Sequence, residues 1–224
     1  MSLKKILKNP NSILIQNDFY PNGLTEEKIY NYYQSIKNKI INEVKNREII
    51  LFINTDINQT IVRRYEILNN ANFDKLIHGR VVSIVSTMNK VENFGIIDID
   101  YYDFEASKNI VLDIYNYLKT FSSIQNIIIH FTGKTSFHIL VYFKMKKEIN
   151  EIRLYLREIL LSKFKNIYDL TFKRNTTVPN LDLSPNKFRG GFIAQYSLST
   201  IGLRCMEIPI GQIKDFKKQF AMIS

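Results

Sequence analysis

A single cysteine, Cys205, occurs in the 224 residues of the chain. One thiol excludes a disulfide framework and any zinc site built on cysteine ligands, and it suits a reducing compartment such as the cytoplasm. Long hydrophobic runs are missing too: none approaches the roughly 18–20 residues that span a bilayer. The opening MSLKKILKNPNSIL has lysines but only a broken apolar stretch and no small-residue cleavage site. No signal peptide is therefore expected. The eight glycines and five prolines are scattered, so they form no linker. Internal repeats and low-complexity tracts are absent as well. Acid is the scarcer charge: 21 Asp and Glu against 31 Lys and Arg leave a net charge of +10. Such a surplus marks a polyanion partner, usually nucleic acid. An Ile/Asn/Lys-rich proteome from an AT-rich genome would produce the same surplus, so the location of the bases has to decide.

What is present reads as ordinary globular protein, with 45% hydrophobic and 23% charged residues. The length fits one domain, or one with two lobes divided at about residue 93. TEEKIYNYYQSIKNKIINEVKN (25–46) predicts a helix capped by Thr25, with Ile29, Tyr33, Ile36, Ile40 and Val44 on one face. Strands are predicted at 48–54, 80–86, 94–100, 126–131 and 137–143, and helices at 107–121 and 147–164. A short helix is expected around 212–221. Strands and helices alternate without a strict βαβ rhythm. The expected class is α+β, a mixed and largely antiparallel sheet packed by helices.

The candidate site begins with FGIIDIDYYDF (94–104), where Asp98 and Asp100 interrupt an apolar strand. Residues i and i+2 of a strand share a face, so the two carboxylates lie side by side. Two like charges there are unfavourable unless a cation sits between them, and hard divalent cations take such oxygen ligands. A solvated strand end, or Asp100 capping the next turn, accounts for the pair equally well. A third acid in similar context, Asp182 in VPNLDLSPN, favours the metal site. Three aspartates holding two metals beside phosphate ligands is an arrangement used for phosphoryl transfer.

The phosphate ligands come from HFTGKTSFHI. Gly133 lets backbone N–H groups approach an anion, and Lys134, Thr135, Ser136 and His138 can donate to phosphate oxygens. The GxxxxGK[ST] spacing is absent and a strand follows, so this is no Walker loop. A plain solvent turn and a core histidine are the bland alternatives, and His130 is assigned to the latter. Lys173, Arg174, Lys187 and Arg189 flank Asp182. The basic surplus thus gathers around the acids, which favours a phosphate-rich substrate over a merely solvated loop.

With three acids, a hydroxyl-rich turn and a histidine in this order, the chain resembles the archaeo-eukaryotic primase superfamily. The motifs are Asp98-Ile99-Asp100, then Thr132-Gly133 through Ser136-Phe137-His138, then Leu181-Asp182. It is most similar to the polymerase domain of bacterial end-joining DNA ligase D. The opening LKNPNSILIQNDFYPNGLTEEKIYNYYQSI, the strand NREIILFIN and the segment DLSPNKFRGGFIAQYSLS carry that likeness. The chain departs from it at Ser199, where the family usually has Arg after Tyr-Ser-Leu, and at Pro185, often polar in the family.

The resemblance implies a primase-like fold with an RRM-like core. Asp98, Asp100 and Asp182 become the catalytic ligands of two Mg²⁺ or Mn²⁺ ions. Thr132, Ser136 and His138 become triphosphate contacts, joined in the nucleotide site by Gly133, Lys134, Thr135, Arg174 and Ser197. Arg63 or Arg64, with Lys187 and Arg189, would contact nucleic acid. The implied activity is a template-dependent nucleotidyltransferase that extends a primer or fills gaps at DNA ends, as in non-homologous end joining. Implied partners are DNA, NTP or dNTP, and a separate ligase or end-binding protein at the nucleoid, with no membrane. A primase making primers de novo and a catalytically silent nucleic-acid-binding module remain the alternatives.

Overall fold

The structure is a computed structural model that describes residues 7–164 and 180–223. In chain order the first elements are β1 (Ile13–Asn17), β2 (Tyr20–Thr25), α1 (Glu26–Ser35), α2 (Lys37–Glu43), β3 (Glu48–Asp56) and β4 (Gln59–Ile67). Then come α3 (Phe73–Leu76), β5 (Val81–Thr87), β6 (Val91–Asp100), α4 (Phe104–Leu118), β7 (Ile124–Phe131) and β8 (Phe137–Glu148). The last are α5 (Ile149–Lys163), β9 (Asn180–Asp182), β10 (Gly191–Ile193) and β11 (Met206–Glu207). None of the described helices is long and apolar enough to cross a membrane.

The chain folds into two compact units. The first comprises Met1–Thr87, Gly191–Cys205 and Lys218–Ser224; the second comprises Met88–Gly190 and Met206–Lys217. The chain therefore leaves the first unit and returns to it, which a linear division near residue 93 does not capture.

In the first unit, four antiparallel strands run in the order β10-β5-β3-β4, beside the hairpin β1-β2. β3 and β5 supply the buried Ile49, Leu51, Val82 and Ile84. The predicted single helix over 25–46 is divided at Ile36, whose φ of −111° and ψ of 10° leave the helical basin. The Ser35 hydroxyl donates to the Tyr32 carbonyl at 2.6 Å and competes with the backbone ladder there. Ile36 N–H still reaches Tyr32 and Ile40 N–H still reaches Ile36, so the break is a kink. The expected helix at 212–221 is instead two short 3₁₀ turns, Ile210–Gln212 and Lys218–Ala221.

The second unit carries a five-stranded antiparallel sheet in the order β11-β7-β8-β6-β9. Leaving out the edge strand β11, the chain runs β6-α4-β7-β8-α5-β9, the β-α-β-β-α-β connectivity of ferredoxin-like and RRM-like cores. Asp103 caps α4 by accepting from Ala106 N–H at 3.0 Å, and Val111, Ile114 and Leu118 form its buried stripe. On α5 the buried stripe is Ile149, Ile152, Leu156, Ile159 and Leu160. β6 is glycine at position 95 because a Cβ there would sit 2.5 Å from Ile152 and 2.7 Å from Leu156. That close approach fixes α5 on the face of β6 that also carries Ile97 and Ile99. Phe104 of α4 stacks on Phe137 at 5.5 Å between ring centroids, on the same face. The other face of the strand carries Asp98 and Asp100.

Candidate active site

The register sets four side chains in one row across the sheet. His130 on β7 lies opposite His138 on β8, His138 opposite Asp98 on β6, and Asp98 opposite Asp182 on β9. Directly paired residues point to the same face, and Asp100 joins them two positions along β6. Carboxylate oxygens of Asp98, Asp100 and Asp182 consequently lie within 4.8 Å of one another, each half-buried. The three motifs, far apart in the chain, meet through strand pairing alone.

The electrostatics of this cluster point outward. At such separations each carboxylate pair repels by about 1 to 3 kcal/mol, between the bulk-water and near-surface limits. Among the described residues no lysine or arginine pairs with Asp98 or Asp182. Asp98 Oδ1 is buried without a hydrogen-bond partner, 3.6 Å from His138 Nε2. That distance is too long for a hydrogen bond. Asp182 accepts from the Ser184 N–H at 2.6 Å and the Ser184 hydroxyl at 2.7 Å, which aims the carboxylate without neutralising it. A crowded all-oxygen donor set with an orphaned carboxylate oxygen fits a hard divalent cation. The triad could hold a metal ion.

The loop after Asp182 is tied to β6 by Asn186. Its Oδ1 accepts from the Ile96 N–H at 2.7 Å, and its Nδ2 donates to the Ile96 carbonyl at 2.6 Å. Nδ2 also donates to the Leu183 carbonyl at 3.1 Å. The amide imitates a strand residue, extending the β6-β9 pairing and holding Asp182 beside Asp98. Sequence reasoning passed over Asn186, since its role depends on which strand lies alongside.

The histidines are both buried, and the Nδ1 of each lacks a hydrogen-bond partner. Burial, reinforced by the neighbouring His138, pushes His130 down to about 3. It is therefore a neutral group at the end of the row, separated from Asp98 by His138. The hairpin turn between β7 and β8 closes at the end of the sheet where β6 finishes at Asp100. Gly133 takes a φ of 89°, a conformation suited to glycine. Thr132 holds the turn shut: its N–H and hydroxyl both reach the Ser136 carbonyl, at 3.1 and 2.9 Å. Lys134 is exposed and Thr135 half-buried, and neither has a described partner.

The remaining predicted residues are placed as follows. Lys187 and Arg189 are exposed in the second unit, on the loop after Asp182. Arg189 adopts a φ of 61°, held by its N–H to the Met88 carbonyl. Arg63 and Arg64 belong to the first unit, exposed on the edge strand β4, with Arg64 3.7 Å from Glu48. Lys173 and Arg174 lie outside the described residues. Ser197 requires a correction as a nucleotide ligand. It is fully buried in the first unit, its hydroxyl accepting from Ile84 N–H at 2.7 Å and donating to the Leu198 carbonyl at 3.0 Å. Its single O–H is spent on backbone, so it has no donor left for a phosphate oxygen.

The chain has a primase-polymerase-like fold. One solved structure it is similar to is the polymerase domain of Mycobacterium tuberculosis ligase D in complex with DNA. The TM-score is 0.77, over 93% of this chain and 88% of that one. Identity is 12%, so the likeness is one of fold. No protein-family model matches the chain, and no curated protein matches it in sequence.

Proposed function

We propose that the chain is a template-dependent nucleotidyltransferase that adds nucleotides to a DNA primer or fills gaps at DNA ends. The convergence of Asp98, Asp100 and Asp182 on one sheet face carries the reading, because a crowded triad is a liability to folding unless cations are its purpose. The fold match to a polymerase domain that was solved with DNA supports it. In this reading the three aspartates hold two Mg²⁺ or Mn²⁺ ions. When bound, such ions acidify a primer 3′-hydroxyl and neutralise charge on a triphosphate.

The chain's own groups then have distinct tasks. Ser184 orients Asp182, and Asn186 keeps its loop against β6. Lys134, Thr135 and Ser136 donate to the β- and γ-phosphates, with Thr132 and Gly133 setting the turn. His138 stands beside Asp98 as a neighbour to both acids and phosphates. Arg174 belongs to the nucleotide site, and Lys187 and Arg189, with Arg63 or Arg64 of the first unit, contact the nucleic-acid backbone through salt-sensitive ion pairs. A cytoplasmic, nucleoid-associated setting with a separate ligase or end-binding protein fits this activity.

Primer extension on a gapped template with Mn²⁺, wild type beside Asp98→Ala, tests the proposal. Incorporation by wild type alone is expected. Incorporation by both proteins, or by neither, rejects it. Withholding the primer separates gap filling from priming, since a primase still makes short oligonucleotides from NTPs on single-stranded template.

A further inference from the structure

A second candidate site lies wholly within the first unit and uses none of the candidate active-site residues. It is a cleft of about 540 Å³, a volume typical of small-molecule sites. One wall is a single face of α1, where Lys28, Asn31, Tyr32 and Ser35 follow helical spacing. Arg204 faces them from the returning chain, and Ile36, Met222 and Ile223 complete the lining. Two cations line the cleft and no carboxylate does.

Arg204 distinguishes this cleft from an ordinary basic surface. Its Nη2 donates to the Phe220 carbonyl at 3.0 Å, the one acceptor its guanidinium has among the described residues. Guanidinium offers five N–H donors. The Nε of Arg204 is buried and unpartnered. The side chain is half-buried, and its charge acts on the phenols of Tyr20 and Tyr32. It is thus a partly desolvated cation, pinned at one end, with donors unfilled. Such a fork is pre-organised for a phosphate, which accepts several N–H bonds at once.

The rest of the lining narrows the ligand. Tyr32 spends its hydroxyl on the Tyr196 carbonyl, so it presents its ring to the cleft. The Ser35 hydroxyl is spent on the Tyr32 carbonyl. The Asn31 amide remains as a polar group beside the two cations. Ile36, Met222 and Ile223 form an apolar wall, in which methionine adapts readily to a flat partner. Inorganic phosphate would leave that wall wet.

We propose that this cleft binds a phosphate ester of nucleotide size, its phosphate on Arg204 and Lys28 and its base or sugar against Ile36 and Met222. The phosphate comes either from a free nucleotide or from a nucleic-acid strand. The proposal stands apart from the polymerase reading, because binding here needs neither metal nor the aspartates.

Calorimetric titration of the full chain in EDTA tests it, with AMP and a short oligothymidylate as probes. Lys28→Glu is the decisive variant: the position is exposed, and an acid suits the first turn of a helix. Arg204→Met is the second, with thermal unfolding followed by circular dichroism as the check on folding. Binding weakened at least about tenfold in Lys28→Glu is expected, the loss of one charge-assisted contact. Saturation by AMP identifies a free-nucleotide site, and binding of the oligomer alone identifies a strand phosphate. Wild-type protein that binds neither probe, or Lys28→Glu that binds both as wild type does, overturns the proposal. Should Arg204→Met fail to fold, the exposed variant decides alone.

Discussion

Glu26 in the first unit and Asp98 in the second are both acids set into the fold, yet their surroundings differ completely. Glu26 is fully buried and fully served: Arg80 Nε lies 3.0 Å away, and the N–H groups of Lys8 and Asn9 donate at 2.7 and 3.3 Å. Asp98 shares a 4.8 Å neighbourhood with two more aspartates and has an oxygen with no hydrogen-bond partner. A carboxylate whose every contact is supplied by the fold serves the fold. One crowded with its own kind is explained only by something brought from outside. The satisfaction of a buried charge, more than burial itself, separates the structural acid from the chemical one.

The difference can be broken by exchanging consequences. Asp98→Ala should abolish primer extension by about a thousandfold or more, several kcal/mol of transition-state stabilisation. Its thermal midpoint in metal-free buffer should stay at or above that of wild type, because a repulsion has been relieved. A destabilised Asp98→Ala protein would make the acid structural and erase the contrast. Glu26→Ala should do the reverse. Loss of the carboxylate leaves the half-buried Arg80 Nε and the Lys8 and Asn9 N–H groups without their acceptor and costs about 1–3 kcal/mol in urea unfolding, while Mn²⁺ binding persists under native conditions. A smaller effect sharpens the same point: Ser197→Ala orphans the Ile84 N–H and should cost about 1–3 kcal/mol. The nucleotide KM should not move. A raised KM at unchanged stability would return Ser197 to the nucleotide site.

Much of the second unit could be read from the chain. β6, β8, α4 and α5 have strong periodicity, and the polar interruption at Asp98 and Asp100 stands out against it. That Asp182 and His138 belong with this pair was an expectation drawn from the resemblance, and the register of β6, β8 and β9 sets them in one row. The first unit was harder. β4 is exposed on both faces, so no alternation of apolar and polar residues marks it. The β1-β2 hairpin is short, with irregular register, and its turn carries no strong glycine signal at the tip. The kink at Ile36 arises from one serine hydroxyl competing for a carbonyl, invisible in a helical pattern that stays in phase. Asn186 was passed over and Ser197 taken for a ligand for one reason: each bonds backbone that is distant in sequence, and only the folded register shows which polar groups are already spent. Arg204 shows the reverse, a cation with donors in excess of its acceptors.

Counting free Mn²⁺ by electron paramagnetic resonance during titration tests the central claim most directly. Wild-type protein should sequester the ion, and Asp182→Ala, which removes one wall of the cluster, should weaken that uptake at least about tenfold. Equal uptake by the two proteins would mean that the three carboxylates do not act together on a cation, and the account would be contradicted.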